Sequence, residues 1–332
     1  MNSKISLIIP VFNLEAYIDR CISSLLFQTY ENLEFIFVND GSKDNSLSIL
    51  RMYEKEDKRV KVIEQENAGV SVARNRGIEV STGDYIMFVD GDDWLEFNTV
   101  EKMFEYINSG DHDIACCNFV FECLETGKKR YTSRPFTSYE LKGRDILASY
   151  LSGKGLWASS CARLYKVSFL KTYCFQFEPG VSIGEDGFFS LQVMSKAKSI
   201  IICGDPFYHV LVRSSSATRS VAYNGFLFRE NSYCNYLYNN GLLEDFIEEY
   251  RVWFLWSCTS YILKAALRLS YANFKTSYDR YVIDSNFYQF NKHSIRKRMS
   301  LKKYLLALLS KYPQLAYSIF YIYTKMYKKY LF

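Results

Sequence analysis

No stretch of this 332-residue chain approaches the ~20 consecutive apolar residues that a membrane-spanning helix needs. The apolar run at residues 5–12 is short, is broken by Pro10 and lacks a small-residue cleavage site. It is therefore expected to be a first core strand rather than a signal peptide. Nine cysteines are scattered without repeated C-x-x-C pairing, which reads as reduced thiols in a cytosolic protein. The first strand–helix corner has no G-x-G-x-x-G, which sets aside a dinucleotide-binding dehydrogenase. Internal repeats and low-complexity linkers are missing, as is any nucleic-acid-binding motif. Beyond Asp284 there is no Asp or Glu at all.

What is present is ordinary for a globular protein, 48% hydrophobic and 23% charged, with an unusually large aromatic share of 17%. The net charge of +5 conceals an asymmetry. Lys292, Arg296, Lys297, Arg298, Lys302, Lys303, Lys311, Lys325, Lys328 and Lys329 crowd the last forty-odd residues, so the body before them is net acidic.

The most informative stretch is residues 84–94, where Tyr85, Ile86, Met87, Phe88 and Val89 run into Asp90, Gly91, Asp92 and Asp93. The apolar part reads as a buried strand of a parallel sheet, with the acids just past its carboxyl end, where open α/β sheets place ligands. Asp90 and Asp92 are two apart and point the same way in extended backbone, while Gly91 lets the chain turn. Three such close carboxylates repel unless a cation sits among them, and hard oxygen ligands suit Mg²⁺ or Mn²⁺ completed by phosphate and water.

Upstream, strand and helix alternate: strands at residues 5–9, 33–38 and 60–63, and helices at 14–27, 45–55 and 70–80. Short connections and this alternation predict an α/β, mostly parallel, doubly wound sheet with right-handed crossovers. Corners at residues 10–13, 39–42 and 67–69 then share one sheet edge with residues 90–93. Downstream, helices are expected at 99–108, 139–151 and 188–196, a strand at 114–121, an extended segment at 128–135 and a glycine-rich loop at 179–187. Short strands follow at 200–203 and 207–212, with helical spacing beyond residue 221. This divides the chain into an α/β domain, residues 1–220 (1–95 of doubly wound, nucleotide-binding type, then 96–220), and a helical, basic, aromatic-rich appendage, residues 221–332.

Four ordered motifs carry a resemblance: Ile8-Ile9-Pro10-Val11-Phe12-Asn13, Val38-Asn39-Asp40-Gly41-Ser42, the run from Asn67-Ala68-Gly69 through Arg74 to Gly77, and Phe88-Val89-Asp90-Gly91-Asp92-Asp93-Trp94. Together with Ile183-Gly184-Glu185-Asp186, they resemble family 2 glycosyltransferases of the Rossmann-like GT-A fold. Gly91 stands where that family usually has Ser. The resemblance implies a hexosyl- or N-acetylhexosaminyl-transferase that is inverting, depends on Mn²⁺ or Mg²⁺ and uses a nucleotide sugar, expected to be UDP-linked. The acceptor would be a saccharide or a lipid-linked saccharide in surface-polysaccharide synthesis at the inner face of the cell membrane. Asp92 with Asp90 would hold the metal against the diphosphate. Pro10, Val11 and Phe12 would line the base, and Asp40 would accept the uracil N–H. Asn67, Gly69, Arg74 and Gly91 would complete the donor site, with Arg74 at the base edge or the diphosphate. Asp186 would be the general base, with Glu185 as runner-up.

Other features leave alternatives open. His209, on a strand returning to the cleft, is a further metal or phosphate ligand or a satisfied core residue. Arg213 and the serines after it touch phosphate or form a loop over the donor. Trp94 and Trp157 stack on sugar or pack in the core. The basic tail lies on an anionic membrane surface, packs on the catalytic domain or forms a homodimer contact. The rival function is a non-catalytic nucleotide-sugar-binding scaffold in a polysaccharide assembly complex, against which the acids at 90, 92, 93 and 186 argue.

Overall fold

A computed structural model describes residues 3–131, 137–181, 183–213 and 223–254, together with Ser257, Tyr261, Phe274, Lys275 and Tyr278. The basic tail and the serines after Arg213 lie outside the described residues.

The first half follows the expected alternation: β1 (Ile5–Val11), α1 (Ile18–Leu26), β2 (Leu33–Asp40), α2 (Ser46–Glu56), β3 (Val60–Gln65), α3 (Val70–Val80) and β4 (Tyr85–Phe88). β1 and β2 are buried along their whole length, because sheet neighbours and helices cover both faces. The four strands are parallel in the order β3-β2-β1-β4, so the carboxyl ends of all four open on one edge. Ile36, Val38 and Ala73 pack under α3, with Ile63 and Val80 against them. Gly77 makes this contact intimate: a Cβ there would lie 2.2 Å from Ile8 Cγ2.

After β5 (Trp94–Leu95) and α4 (Thr99–Ile107), the expected single strand at 114–121 is broken in two. β6 (Ile114–Cys116) belongs to the main sheet, whereas β7 (Phe119–Cys123) crosses to a second sheet ordered β5-β12-β7-β8. That sheet includes β8 (Lys129–Tyr131) and β12 (Tyr208–Val212). The helix expected at 139–151 begins instead as strand β9 (Tyr139–Lys142), and only then becomes α5 (Arg144–Ser152). β9 is an exposed edge strand, antiparallel to β11 (Ser199–Ile202), so sheet pairing overrides its helical spacing. β10 (Arg163–Lys166) enters the main sheet antiparallel between β4 and β6, followed by α6 (Val167–Thr172). The main sheet is thus eight-stranded among the described residues, and mostly rather than wholly parallel.

α7 (Glu185–Lys196) starts three residues earlier than expected, which puts Glu185 and Asp186 in its first turn. Beneath the carboxyl edge of the sheet lies an aromatic cluster: Phe88 meets Tyr165, Phe177 and Phe189 edge-on, and Phe177 stacks on Phe189 at 4.0 Å. Residues 1–147 and 158–214 form one compact unit, and residues 148–157 and 215–332 form another. In the second unit, α8 (Tyr223–Asn239) carries Tyr233, which stacks on Trp253 and shares a hydroxyl hydrogen bond with Tyr150. Among the described residues no helix is long and apolar enough to cross a membrane.

Candidate active site

The site lies at the carboxyl edge of β1, β2 and β4. Its corners are tied to one another by the chain. Ser42 Oγ accepts from Asn13 N–H at 3.0 Å, Asn13 Oδ1 from Lys43 N–H at 2.8 Å, and Ser46 Oγ from Leu14 N–H at 2.8 Å. Pro10 and Val11 are buried and Phe12 is exposed at the rim. Gly91 follows from the same crowding: a Cβ there would lie 2.8 Å from Leu14 Cδ1 and 3.2 Å from the Pro10 carbonyl oxygen. A serine at this turn would push against α1's approach, which gives the glycine a physical reason.

Asp40 departs from expectation. Its carboxylate is buried and accepts Gln65 Nε2 and Ala68 N–H on Oδ1, and Asn67 Nδ2 and Gly69 N–H on Oδ2. Four donors fill the usual acceptor capacity of a carboxylate. Asp40 therefore organises the loop at residues 67–69 and offers no open position to an outside N–H. Asn67 and Gly69 are the partners that it holds.

Arg74 is the hub. It projects from α3, is 2% exposed and lies over the Phe177 ring. One terminal nitrogen donates to Asp90 Oδ1 at 2.8 Å, and the other to Asp186 Oδ1 at 2.9 Å and to Glu185 Oε1 at 3.4 Å. A fork-shaped guanidinium suits such simultaneous engagement better than an ammonium would. Burial disfavours its charge, but Asp186 and Asp90 outweigh this and hold its pKa well above the usual value. The acids pay the opposite cost. Burial and then Asp186 push Glu185 up to about 7, against the pull of Arg74. Asp186 is raised by burial although Arg74 and Ser160 pull it down. Burial and Asp90 raise Asp92 despite its 2.5 Å contact with Arg213. Burial, Asp92 and Asp90 push Asp93 far up.

Asp93 is buried and accepts Leu211 N–H at 2.9 Å, so it serves the fold. Asp90 and Asp92 keep part of their surface, with side chains 37% and 22% exposed. They lie two apart in the chain, each held by one guanidinium, and their remaining oxygens are a hard donor set that fits a divalent cation completed by phosphate oxygens and water. Among the described residues no group of three or more His, Cys, Asp or Glu side chains could hold an ion by itself.

His209 sits apart from these acids. Its Nε2 bonds Glu96 Oε1 at 2.7 Å, and its ring stacks at 5.0 Å on Trp94, over whose ring Arg20 also lies. Burial lowers its pKa, with Glu96 opposing. The residue that β12 turns to the acids is Tyr208, one position earlier and hence on the opposite strand face. Its buried hydroxyl accepts Asp90 N–H at 3.0 Å and helps hold the Asp93 carboxylate. Sequence reasoning singled out the histidine and passed over this tyrosine. The signal lay in strand alternation, but only the register against β5 and β7 reveals which face is which. Ser160, just ahead of β10, was also missed: its hydroxyl donates to Asp186 Oδ1 at 2.5 Å. Trp94 is a buried core residue, and Trp157 is 44% exposed within the second unit.

Comparison with known proteins agrees with this geometry. The family model described as glycosyl transferase family 2 matches residues 6–174. The chain is 35% identical over 252 residues to the putative glycosyltransferase EpsH of Bacillus subtilis (strain 168), covering 74% of this chain and 72% of that protein. Its fold superimposes on S. aureus TarS 1-349, crystallised with UDP-GlcNAc, with a TM-score of 0.66 at 18% identity, covering 98% of this chain and 92% of that one. It also matches the mannosyltransferase PcManGT from Pyrobaculum calidifontis, in complex with GDP-Man and Mn2+, with a TM-score of 0.58 at 12% identity, covering 97% and 88%. The fold is GT-A, and the chain belongs to the family 2 glycosyltransferases.

Proposed function

We propose that this glycosyltransferase moves a sugar from a UDP-linked donor to a saccharide or lipid-linked saccharide acceptor, with inversion, in surface-polysaccharide synthesis. The observation that carries the reading is the Arg74 fork, which places Asp90 and Asp186 on either side of one guanidinium. The donor acids and the candidate base are thereby held at a fixed separation across the cleft, as an in-line displacement needs.

Asp92 with Asp90 would hold Mn²⁺ or Mg²⁺, which when bound supplies Lewis-acid neutralisation of the departing diphosphate. Pro10, Val11 and Phe12 flank the base, and Gly69 closes the loop that Asp40 braces. Arg74 keeps Asp90 and Asp186 apart and compensates their charge. Asp186 takes the proton from the acceptor hydroxyl on the face opposite the leaving group, which inverts the anomeric centre. Glu185 is the less suited base, because its side chain is 11% exposed against 25% for Asp186 and so offers an acceptor hydroxyl less room. His209 serves the Glu96–Trp94 packing. The basic segment at residues 292–329 meets anionic lipid at the inner face of the membrane, where each Lys or Arg contributes roughly 1 kcal/mol. TarS, with UDP-GlcNAc in its site, supports the donor class, and PcManGT with Mn2+ supports the metal.

The test is calorimetric titration with UDP, GDP and UDP-sugars with and without Mn²⁺, followed by UDP release with saccharide acceptors. Metal-dependent UDP binding that disappears in Asp92→Asn is the expected result. Preference for GDP would overturn the donor, and no nucleotide binding under any metal condition would overturn the reading.

A further inference from the structure

Asp186 is held from two directions. Arg74 shares its charge among three acids, so it cannot fix the Asp186 rotamer without also answering to Asp90 and Glu185. Ser160 answers to Asp186 alone. It is fully buried, and its hydroxyl donates to Oδ1 at 2.5 Å, a short charge-assisted bond. Both side-chain hydrogen bonds end on Oδ1, and the Ser160 backbone N–H adds a further hydrogen bond to the same carboxylate, so this one residue grips Asp186 twice.

The turn that carries Ser160 is braced more firmly than a packing residue requires. Tyr165 donates its hydroxyl to the Ser160 carbonyl at 2.9 Å. Cys161 N–H donates to Ser159 Oγ at 3.1 Å. Arg163 donates to Ser190 Oγ at 2.8 Å, and Ser190 in turn donates to the Ser159 carbonyl at 3.3 Å, from α7, the helix that bears Asp186. Ala162 holds a left-handed φ of 57°, a conformation an L-residue keeps only when its surroundings fix it. The turn is thus tied to α7 through Ser190, about one helical turn after Asp186.

We propose that Ser160 is a positioning residue for sugar transfer: its hydroxyl fixes the Asp186 carboxylate in the orientation from which it meets the acceptor hydroxyl. This rests on Asp186 being the base. General-base catalysis is sensitive to such placement, and an error of about 1 Å can cost ~10²-fold in rate.

The experiment is steady-state kinetics of the full chain with UDP-sugar and acceptor, alongside UDP affinity and thermal melting, for four variants. Ser160→Ala lowers kcat by roughly 10- to 100-fold, with donor KM and UDP affinity within about 2-fold. Ser160→Cys keeps the volume but loses a strong donor, and falls equally. Ser160→Thr keeps the hydroxyl and restores most of kcat. In Asp186→Asn, adding Ser160→Ala lowers the residual rate no further. A Ser160→Cys enzyme with normal kcat, a change in KM alone, or a loss from Ser160→Ala that persists undiminished in Asp186→Asn would each overturn the proposal. Near-normal turnover of Asp186→Asn by itself would instead overturn the base assignment.

Discussion

The two edges of the main sheet treat their buried carboxylates differently. At the amino end, Glu34 accepts from Ser6 Oγ at 2.6 Å, Lys61 Nζ at 2.7 Å and Thr82 N–H at 2.7 Å, with Lys4 Nζ at 3.1 Å. Burial alone would raise its pKa, but these donors win and bring it down to about 2. At the carboxyl edge, Asp92, Asp93, Glu185 and Asp186 are all raised, with Arg74 and Arg213 as the nearby cations. One edge is electrostatically finished. The other carries more buried acid than its two guanidiniums offset, a concentration of perturbed carboxylates of the kind that marks functional sites.

The largest effect that tests this contrast is on rate. Asp186→Asn and Asp92→Asn each lower kcat by on the order of 10²–10⁴ while the fold persists, as turnover and circular dichroism together would establish. Glu34→Gln does the reverse. Its charged form is favoured in the fold, so its contribution is fully present above pH 4.5 and is lost as pH falls from there through about 2. At pH 7 the variant loses about 3 kcal/mol of stability with kcat per folded molecule unchanged, and denaturant melts of the two proteins converge toward pH 2. Tyr208→Phe strips a hydroxyl from Asp90 N–H and Asp93 and costs roughly 1–3 kcal/mol by urea titration. Asp93→Asn removes an acid whose pKa is raised, and such a group contributes most below its unfolded pKa and loses that contribution as pH rises. The variant is therefore expected to melt about 2–4 °C higher at pH 8 than the parent, a gain that shrinks at pH 4. Phe27→Ala, at a position 78% exposed, changes stability by no more than about 0.5 kcal/mol.

The sequence was most legible where periodicity and burial agree. β1, β2 and β4 announce themselves because both sheet faces are covered, and α1 because its apolar stripe is clean. β9 was misread because Tyr139, Glu140 and Lys142 are exposed on an edge, so no alternating pattern marks them. The motif residues of the site were legible, but their wiring was not. Arg74 meets Asp90 across 16 positions and Asp186 across 112, and no local rule pairs them. Asp40 was assigned to a ligand because its four chain donors come from a loop more than twenty residues away. His209 displaced Tyr208 in the reading because a one-residue offset on a strand exchanges faces.

The contact between Gly77 and Ile8 has a mechanical consequence. Arg74 lies one helical turn before Gly77 on the same face of α3, and the helix rests backbone-to-side-chain on β1. The helix has no standoff, so strand and helix act as a gauge that sets how far the guanidinium reaches. One added methyl group at residue 77 must lift α3 or displace Ile8. Either movement shifts Arg74 relative to Asp90 and Asp186, so the span between those two acids is calibrated by the absence of a side chain at a residue that touches neither.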